Sequence, residues 1–305
     1  MLKKLSLYTF ALLSVIILIS SCKKEYESIE NIDDAKIQQY ITANKITATK
    51  NDKGIYTQIV SQGTGELYKN TDSVLYRLTV KSVNNGTVYY TGSANGNFAN
   101  IVAYTESFII PLQNTALSLP AFREALLTLK PGGVFKLFVP SNLAYGKNGI
   151  EVANVISIPS NEPLEISITT LADKSQAALD DRLIQAFIAK NNLTMTKDPS
   201  GIYYNIVTRG VGSVIINKGT TFSANYVIRL LDGNVAQSIT DGTFTNQVLE
   251  GKIIGWQKII PKLTAGGKVR MLIPSELAYG DSYSATLPGN AILDYDVEIL
   301  TAVNQ

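Results

Sequence analysis

The segment that starts at Ile37, IQQYITANKITATKNDKGIYTQIV, returns from Ile184 as IQAFIAKNNLTMTKDPSGIYYNIV, at an offset of 147 without a gap. Further on, FREALLTLKPGGVFKLFVPSNLAYG from Phe122 matches WQKIIPKLTAGGKVRMLIPSELAYG from Trp256 at an offset of 134. The fall from 147 to 134 places 13 extra residues in the first copy, after Gly86 and around 92–115. A duplication on this scale means one folding unit built twice. The 305 residues suit two domains.

Both copies read alike. An amphipathic helix comes first (Ile37, Tyr40, Ile41; then Ile184, Phe187, Ile188), and Asp180 and Asp181 near the second helix start suit its dipole. A Gly-Ile-Tyr strand follows at Gly54 and Gly201. Alternating strands run through Val74, Tyr76, Leu78 and Val80, and through Phe222, Ala224, Tyr226 and Ile228. Asn85-Gly86 and Asp232-Gly233 mark hairpins. A short helix over 121–129 or 255–263 ends in Gly-Gly, and strands flank the repeated Leu-Ala-Tyr-Gly loop. Many strands around one short helix predict an α+β domain, an antiparallel sheet wrapped on that helix.

Lys3 and Lys4 precede an apolar run over 5–20, followed by Ile19-Ser20-Ser21-Cys22. This is the pattern of a secretory signal, and the run is short for a span of about 20 residues. Small residues before the chain's single cysteine resemble a bacterial lipobox, in which cleavage frees the Cys22 thiol for lipid. Loss of Lys3 and Lys4 leaves 25 basic against 25 acidic side chains, so no strong field favours nucleic acid. The absence of histidine removes imidazole bases, Ser-His-Asp triads and most zinc sites. The carboxylates Glu25, Glu27, Glu30, Asp33 and Asp34 lack calcium-loop spacing and read as part of a solvated tether. The organisation expected is a signal peptide (1–21), a polar tether (22–35), a first domain (36–172), a helical linker (173–196) and a second domain (197–305).

In the second copy, Asp232-Gly233, IIGW at 253–256, GGKVRMLIP at 266–274, LAYG at 277–280 and LPGNAILDYDVEIL at 287–300 resemble the FKBP-type peptidyl-prolyl isomerases in order and spacing. The resemblance covers roughly 197–302, and a more degenerate copy covers 50–172. It implies a five-stranded sheet half-wrapped around a helix, an apolar cup for a proline ring, and no metal or cofactor. Residue by residue it implies Trp256 as floor, with Tyr226, Ile253, Leu287 and Tyr295 as walls. Tyr279 would stand at the rim and donate to a substrate carbonyl. Ala236 and Gln237 stand where the family has Phe-Asp, which widens and weakens the cup unless Phe244 fills it. In the first copy Phe122 replaces the tryptophan, Leu119, Ile158 and Ile166 become walls, Tyr145 keeps the rim phenol, and Tyr89-Tyr90 replace Phe-Asp. The wall tyrosine aligns with either Thr79 or Tyr76.

Two functions are expected from this resemblance. One is a folding isomerase of the bacterial envelope that acts on proline-containing segments, with activity in the second domain and a lipid on Cys22 holding it to the membrane, the outer membrane above all. The other is a non-catalytic module that grips such segments within an envelope assembly or motility complex. The two amphipathic helices either dimerise or pack on their own domains.

Overall fold

The computed structural model describes residues 27–109, 116–152, 156–282, 284 and 286–304. The signal segment and Cys22 lie outside them.

The first unit opens with helix α1 (Ile29–Ala43) and strands β1 (Thr49–Lys50), β2 (Tyr56–Ser61), β3 (Ser73–Ser82), β4 (Val88–Thr91) and β5 (Phe98–Ile101). A hairpin, β6 (Ser107–Ile109) and β7 (Ala116–Ser118), leads to α2 (Pro120–Leu126) and β8 (Val134–Val139). A second hairpin, β9 (Ile150–Val152) and β10 (Ile156–Ile158), precedes β11 (Leu164–Thr170). The second unit has α3 (Gln176–Lys190), β12 (Thr196–Lys197), β13 (Tyr203–Thr208), β14 (Thr221–Arg229), β15 (Val235–Ile239) and β16 (Gln247–Val248). It ends with α4 (Ile254–Ile259), β17 (Lys268–Ile273) and β18 (Leu293–Val303).

The duplication survives into topology. One sheet runs β1-β2-β8-β11-β3-β4 with β5 also on β3; the other runs β12-β13-β17-β18-β14-β15 with β16 on β14. All these pairings are antiparallel, giving the α+β architecture expected. Each sheet wraps its short helix because one face of each strand is apolar: Val74, Tyr76, Leu78 and Val80 in β3, and Phe222, Ala224, Tyr226 and Ile228 in β14, are all buried. The turn glycines Gly86 (φ 78°) and Gly233 (φ 91°) hold the left-handed backbone that an L side chain resists. The 13 extra residues belong to the β6–β7 hairpin, since Val102 and Leu249 still correspond at 147. They therefore fall between Val102 and Leu119, largely in the later part of the 92–115 stretch read from sequence.

The other face of each sheet carries the amphipathic helix of its own unit. Ile37 packs with Tyr56, Val83 and Phe138; Ile184 packs with Tyr203, Leu272 and Ile292. Two expectations change here. Helix α1 begins at Ile29, capped by the Ser28 hydroxyl, so 29–35 is helix rather than tether. Asp33, expected in solvent, is fully buried.

The reason is an Asp-Asp device repeated at offset 147. Asp33 accepts from Ser141 N at 2.8 Å, and Asp180 accepts from Ser275 N and Oγ at 2.7 Å. The next residue in each pair ties the helix to the sheet. Asp34 accepts from Lys50 (2.6 Å) and Tyr56 (2.9 Å), and Asp181 from Lys197 (2.6 Å) and Tyr203 (2.9 Å). Burial pushes the Asp180 carboxyl above its ordinary 3.8, whereas the Lys197 and Tyr203 bonds hold Asp181 below it. The linked stabilities have opposite signs. The contribution of Asp180 is complete below 3.8 and is lost as pH rises through its folded value; that of Asp181 is complete above 3.8 and is lost as pH falls. A carboxyl-carbon NMR titration should place the Asp180 midpoint above 3.8 and that of Asp181 below it. Two midpoints on the same side would refute this description of the helix seat.

Candidate functional site

Helix α4 starts where Gly255 lies against Ile273; a Cβ there would stand 2.7 Å from two carbons of that side chain. This close approach sets Trp256, the next residue, into the concave face of the second sheet. The indole is 3% exposed and meets four rings: Tyr226 (5.7 Å between centroids, 87°), Tyr295 (5.7 Å, 78°), Phe244 (6.1 Å, 73°) and Phe222 (5.9 Å, 39°). Three of the four contacts are edge-on, the arrangement favoured by the ring quadrupole. Phe244 in turn stands edge-on to Tyr226 at 5.0 Å. The indole N–H is buried with no acceptor among the described residues. Native folds carry few such donors, and each marks a place where stability is given up.

Around this floor the rim is more open. Tyr279 is 44% exposed. Phe244, Ala236, Ile253 and Leu287 are half-buried against the same core. The Tyr279 hydroxyl lies 3.5 Å from that of Tyr295, longer than a strong hydroxyl bond, which leaves it able to reach a ligand carbonyl. Burial above all pushes the Tyr295 phenol far above its ordinary 10.0, with the Tyr279 hydroxyl and charge adding to it, so Tyr295 stays protonated. The structure thus packs Tyr226, Trp256, Tyr295, Ile253, Leu287, Ala236 and Phe244 into one core cluster, which Tyr279 reaches through Tyr295. Gln237 is the exception: it is exposed on β15, opposite Ile228 in the ladder, and does not join them. Phe222, a floor neighbour that sequence reasoning passed over, carried only the ordinary signal of an inward strand position.

The first unit has the same frame with different filling. Phe122, Leu119, Ile158 and Ile166 are each 3% exposed or less. Tyr145 is half-buried, and burial pushes its phenol up. Tyr89 and Tyr90 pack at the margin of the core. Register settles the wall position. Ile166 faces Leu137 as Tyr295 faces Met271, which makes Leu78, opposite Ile168, the counterpart of Tyr226, opposite Val297. Neither Thr79 nor Tyr76 is that counterpart. Thr79 points to the other face, and Tyr76 takes the place of Ala224. From there its ring stands edge-on to Phe122 (5.2 Å, 84°) and stacks on Phe98 (5.3 Å, 18°), the counterpart of Phe244. A phenol ring thus stands in the first unit where the second has the Ala224 methyl.

Among the described residues no cluster of three metal-ligating side chains exists, and no helix is long and apolar enough to cross a membrane. The family model for FKBP-type peptidyl-prolyl cis-trans isomerase matches residues 65–171 and 212–300. The FKBP-type peptidyl-prolyl cis-trans isomerase FkpA of Escherichia coli (strain K12) is 35% identical over 102 residues, 33% of this chain and 37% of that protein. The Aeromonas hydrophila protein of the same name is 29% identical over 167 residues, 53% of this chain and 54% of its own length. The chain therefore spans between about a third and about half of the length of these two relatives. The crystal structure of FkpA from Escherichia coli aligns at 23% identity and a TM-score of 0.33, over 46% of this chain and 58% of that one.

Proposed function

This chain belongs to the FKBP-type peptidyl-prolyl cis-trans isomerase family, and on that footing we propose that it accelerates rotation about X–Pro bonds, with turnover in the second unit. The observation that carries this reading is the set of rings packed edge-on around the Trp256 indole, with the exposed Tyr279 beside them. Rotation about an X–Pro bond is slow because twisting breaks amide resonance, a barrier of roughly 18–20 kcal/mol. The trans form is favoured by only about 0.5–1 kcal/mol, so the task is kinetic. A twisted amide carries less charge separation than a planar one. An apolar aromatic wall therefore holds the twisted form better than the ground state, while a phenol at the rim fixes the neighbouring carbonyl. Such catalysis needs neither nucleophile nor titrating base, in keeping with a chain that has no histidine.

The first unit serves this reading as a scaffold, since Phe122 stands there in place of the indole and Tyr76 packs edge-on to it. A lipid on Cys22 would hold both units at the outer membrane of a bacterial envelope, where proline-containing segments of exported proteins are the substrates. Slow proline steps limit folding there as elsewhere.

A protease-coupled assay on a proline peptide with the full chain tests the activity. A rate above the uncatalysed one is expected, and a rate equal to it would leave only the gripping role. The anchor is tested separately. Cys22→Ser is expected to move the expressed protein from the membrane fraction to the soluble one, and an unchanged distribution would refute a lipid at that residue.

A further inference from the structure

We propose that Asn97 of the first unit, with Gln176 and Asp180 of α3, positions the Tyr279 loop of the second unit; this rests on the reading above and makes the first copy part of the second copy's site. The four side chains Asn97, Gln176, Asp180 and Ser275 are each at most 8% exposed and form one continuous run of hydrogen bonds. Asn97 Nδ2 donates to Gln176 Oε1 at 2.8 Å, and Gln176 Nε2 donates to Asp180 Oδ1 at 2.7 Å. The other oxygen of Asp180 receives Ser275 N and Oγ at 2.7 Å. Ser275 opens the turn that presents Tyr279.

The loop is held at its far end by the same residue. Asn290 Nδ2 donates to the Asn97 carbonyl at 3.0 Å, and Asn97 N donates to the Gly289 carbonyl at 3.2 Å. Asn290 N then donates to the Gly280 carbonyl, next to Tyr279, at 2.7 Å. The fit leaves no slack: a Cβ on Gly96 would stand 2.5 Å from the Gly289 carbonyl and 2.9 Å from Pro288. Leu287, packed at the margin of the Trp256 cluster, is on this same loop.

The first copy lacks this completion. Ile29 stands where Gln176 stands, and Asp33 Oδ1 and Ser141 Oγ are buried without hydrogen-bond partners among the described residues. Asn161 repeats the left-handed backbone of Asn290 (φ 53° against 56°) and its bond to Gly146, but is exposed. One copy thus has its tyrosine loop clamped at both ends through the other, and the other copy does not. A plain linker contact would add stability without this path to Tyr279.

The test uses the full chain and two readouts, kcat/KM on a proline peptide and acrylamide quenching of Trp256, the only tryptophan. Asn97→Ala should lower kcat/KM about fivefold, the order expected for one lost hydrogen bond, and raise the quenching constant. Asp180→Asn, which keeps an acceptor for Ser275 N, should restore most of what Asp180→Ala loses. Asp33→Ala, which removes the matching carboxylate from the first copy, should move neither readout. The proposal is overturned if Asn97→Ala changes neither, or if Asp33→Ala reproduces both changes. Raised quenching in Asn97→Ala beside a wild type without turnover would support the clamp and sink the isomerase reading alone.

Discussion

Trp256→Ala is expected to abolish turnover and to lower the stability of the second unit by about 3–5 kcal/mol. Two separate effects combine. Removing a side chain that is 3% exposed leaves a cavity among Phe222, Tyr226, Phe244 and Tyr295, whose ring contacts to it are lost together. The same change removes the surface on which a proline ring would rest. Trp256→Phe separates the effects, because Phe122 at the corresponding position shows that this frame accommodates a phenyl floor. That variant should retain most of the stability and lose most of the activity. Urea unfolding followed by far-UV circular dichroism, with a coupled assay on the same samples, measures both. Full activity in Trp256→Phe would mean that the indole is a core residue and no more.

Arg270→Ala carries the second large expected effect, a loss of about 3–5 kcal/mol from the second unit. Arg270 grips Asp294 with two bonds, 2.9 and 2.7 Å, and the carboxylate side chain is only 3% exposed. Without the guanidinium a buried charge is left uncompensated, which is where the cost lies. The double variant Arg270→Met/Asp294→Leu should recover most of the loss, since a buried pair replaced by apolar groups is often close to neutral. The first unit supplies a contrast at the same register. Lys136 meets Glu165 at 2.8 Å, but Glu165 also has Lys81 at 3.8 Å and the Tyr40 hydroxyl at 2.7 Å. Lys136→Ala should therefore cost less than Arg270→Ala. An equal cost would show that the second pair does not depend on its single partner.

Much of this was legible in the chain because duplication tests each motif against itself. Helix, hairpin and loop positions recur at fixed offsets, and strand alternation alone assigns inner and outer faces. The ring cluster followed from the resemblance of the second copy. What escaped is tertiary. Asp33-Asp34 and Asp180-Asp181 recur at 147, a signal available in the sequence, yet charge near a helix start reads equally as dipole compensation. Only the docked helix shows one carboxylate turned to the serine turn and its neighbour to the sheet. The one-residue slip that makes Leu78 rather than Thr79 the counterpart of Tyr226 was hidden by gapless alignment, because the second copy is one residue longer than the first between Tyr203 and Phe222 and one residue shorter between Ile228 and Gly233, so the two differences cancel. Gln237 was placed by family position, and β15 instead leaves it in solvent.

Turnover of prolyl bonds at the ring cluster around Trp256, with help from the phenol of Tyr279, is what all the rest depends on. Exchange NMR on a short Ala-Pro peptide measures this most directly, with substoichiometric full-length chain and no coupling protease. The account predicts cis–trans exchange peaks with the wild type, at a rate that falls about fivefold or more in Tyr279→Phe as one hydrogen bond to the carbonyl is lost. No exchange peaks with the folded wild type, or peaks of equal strength with Tyr279→Phe, would contradict it.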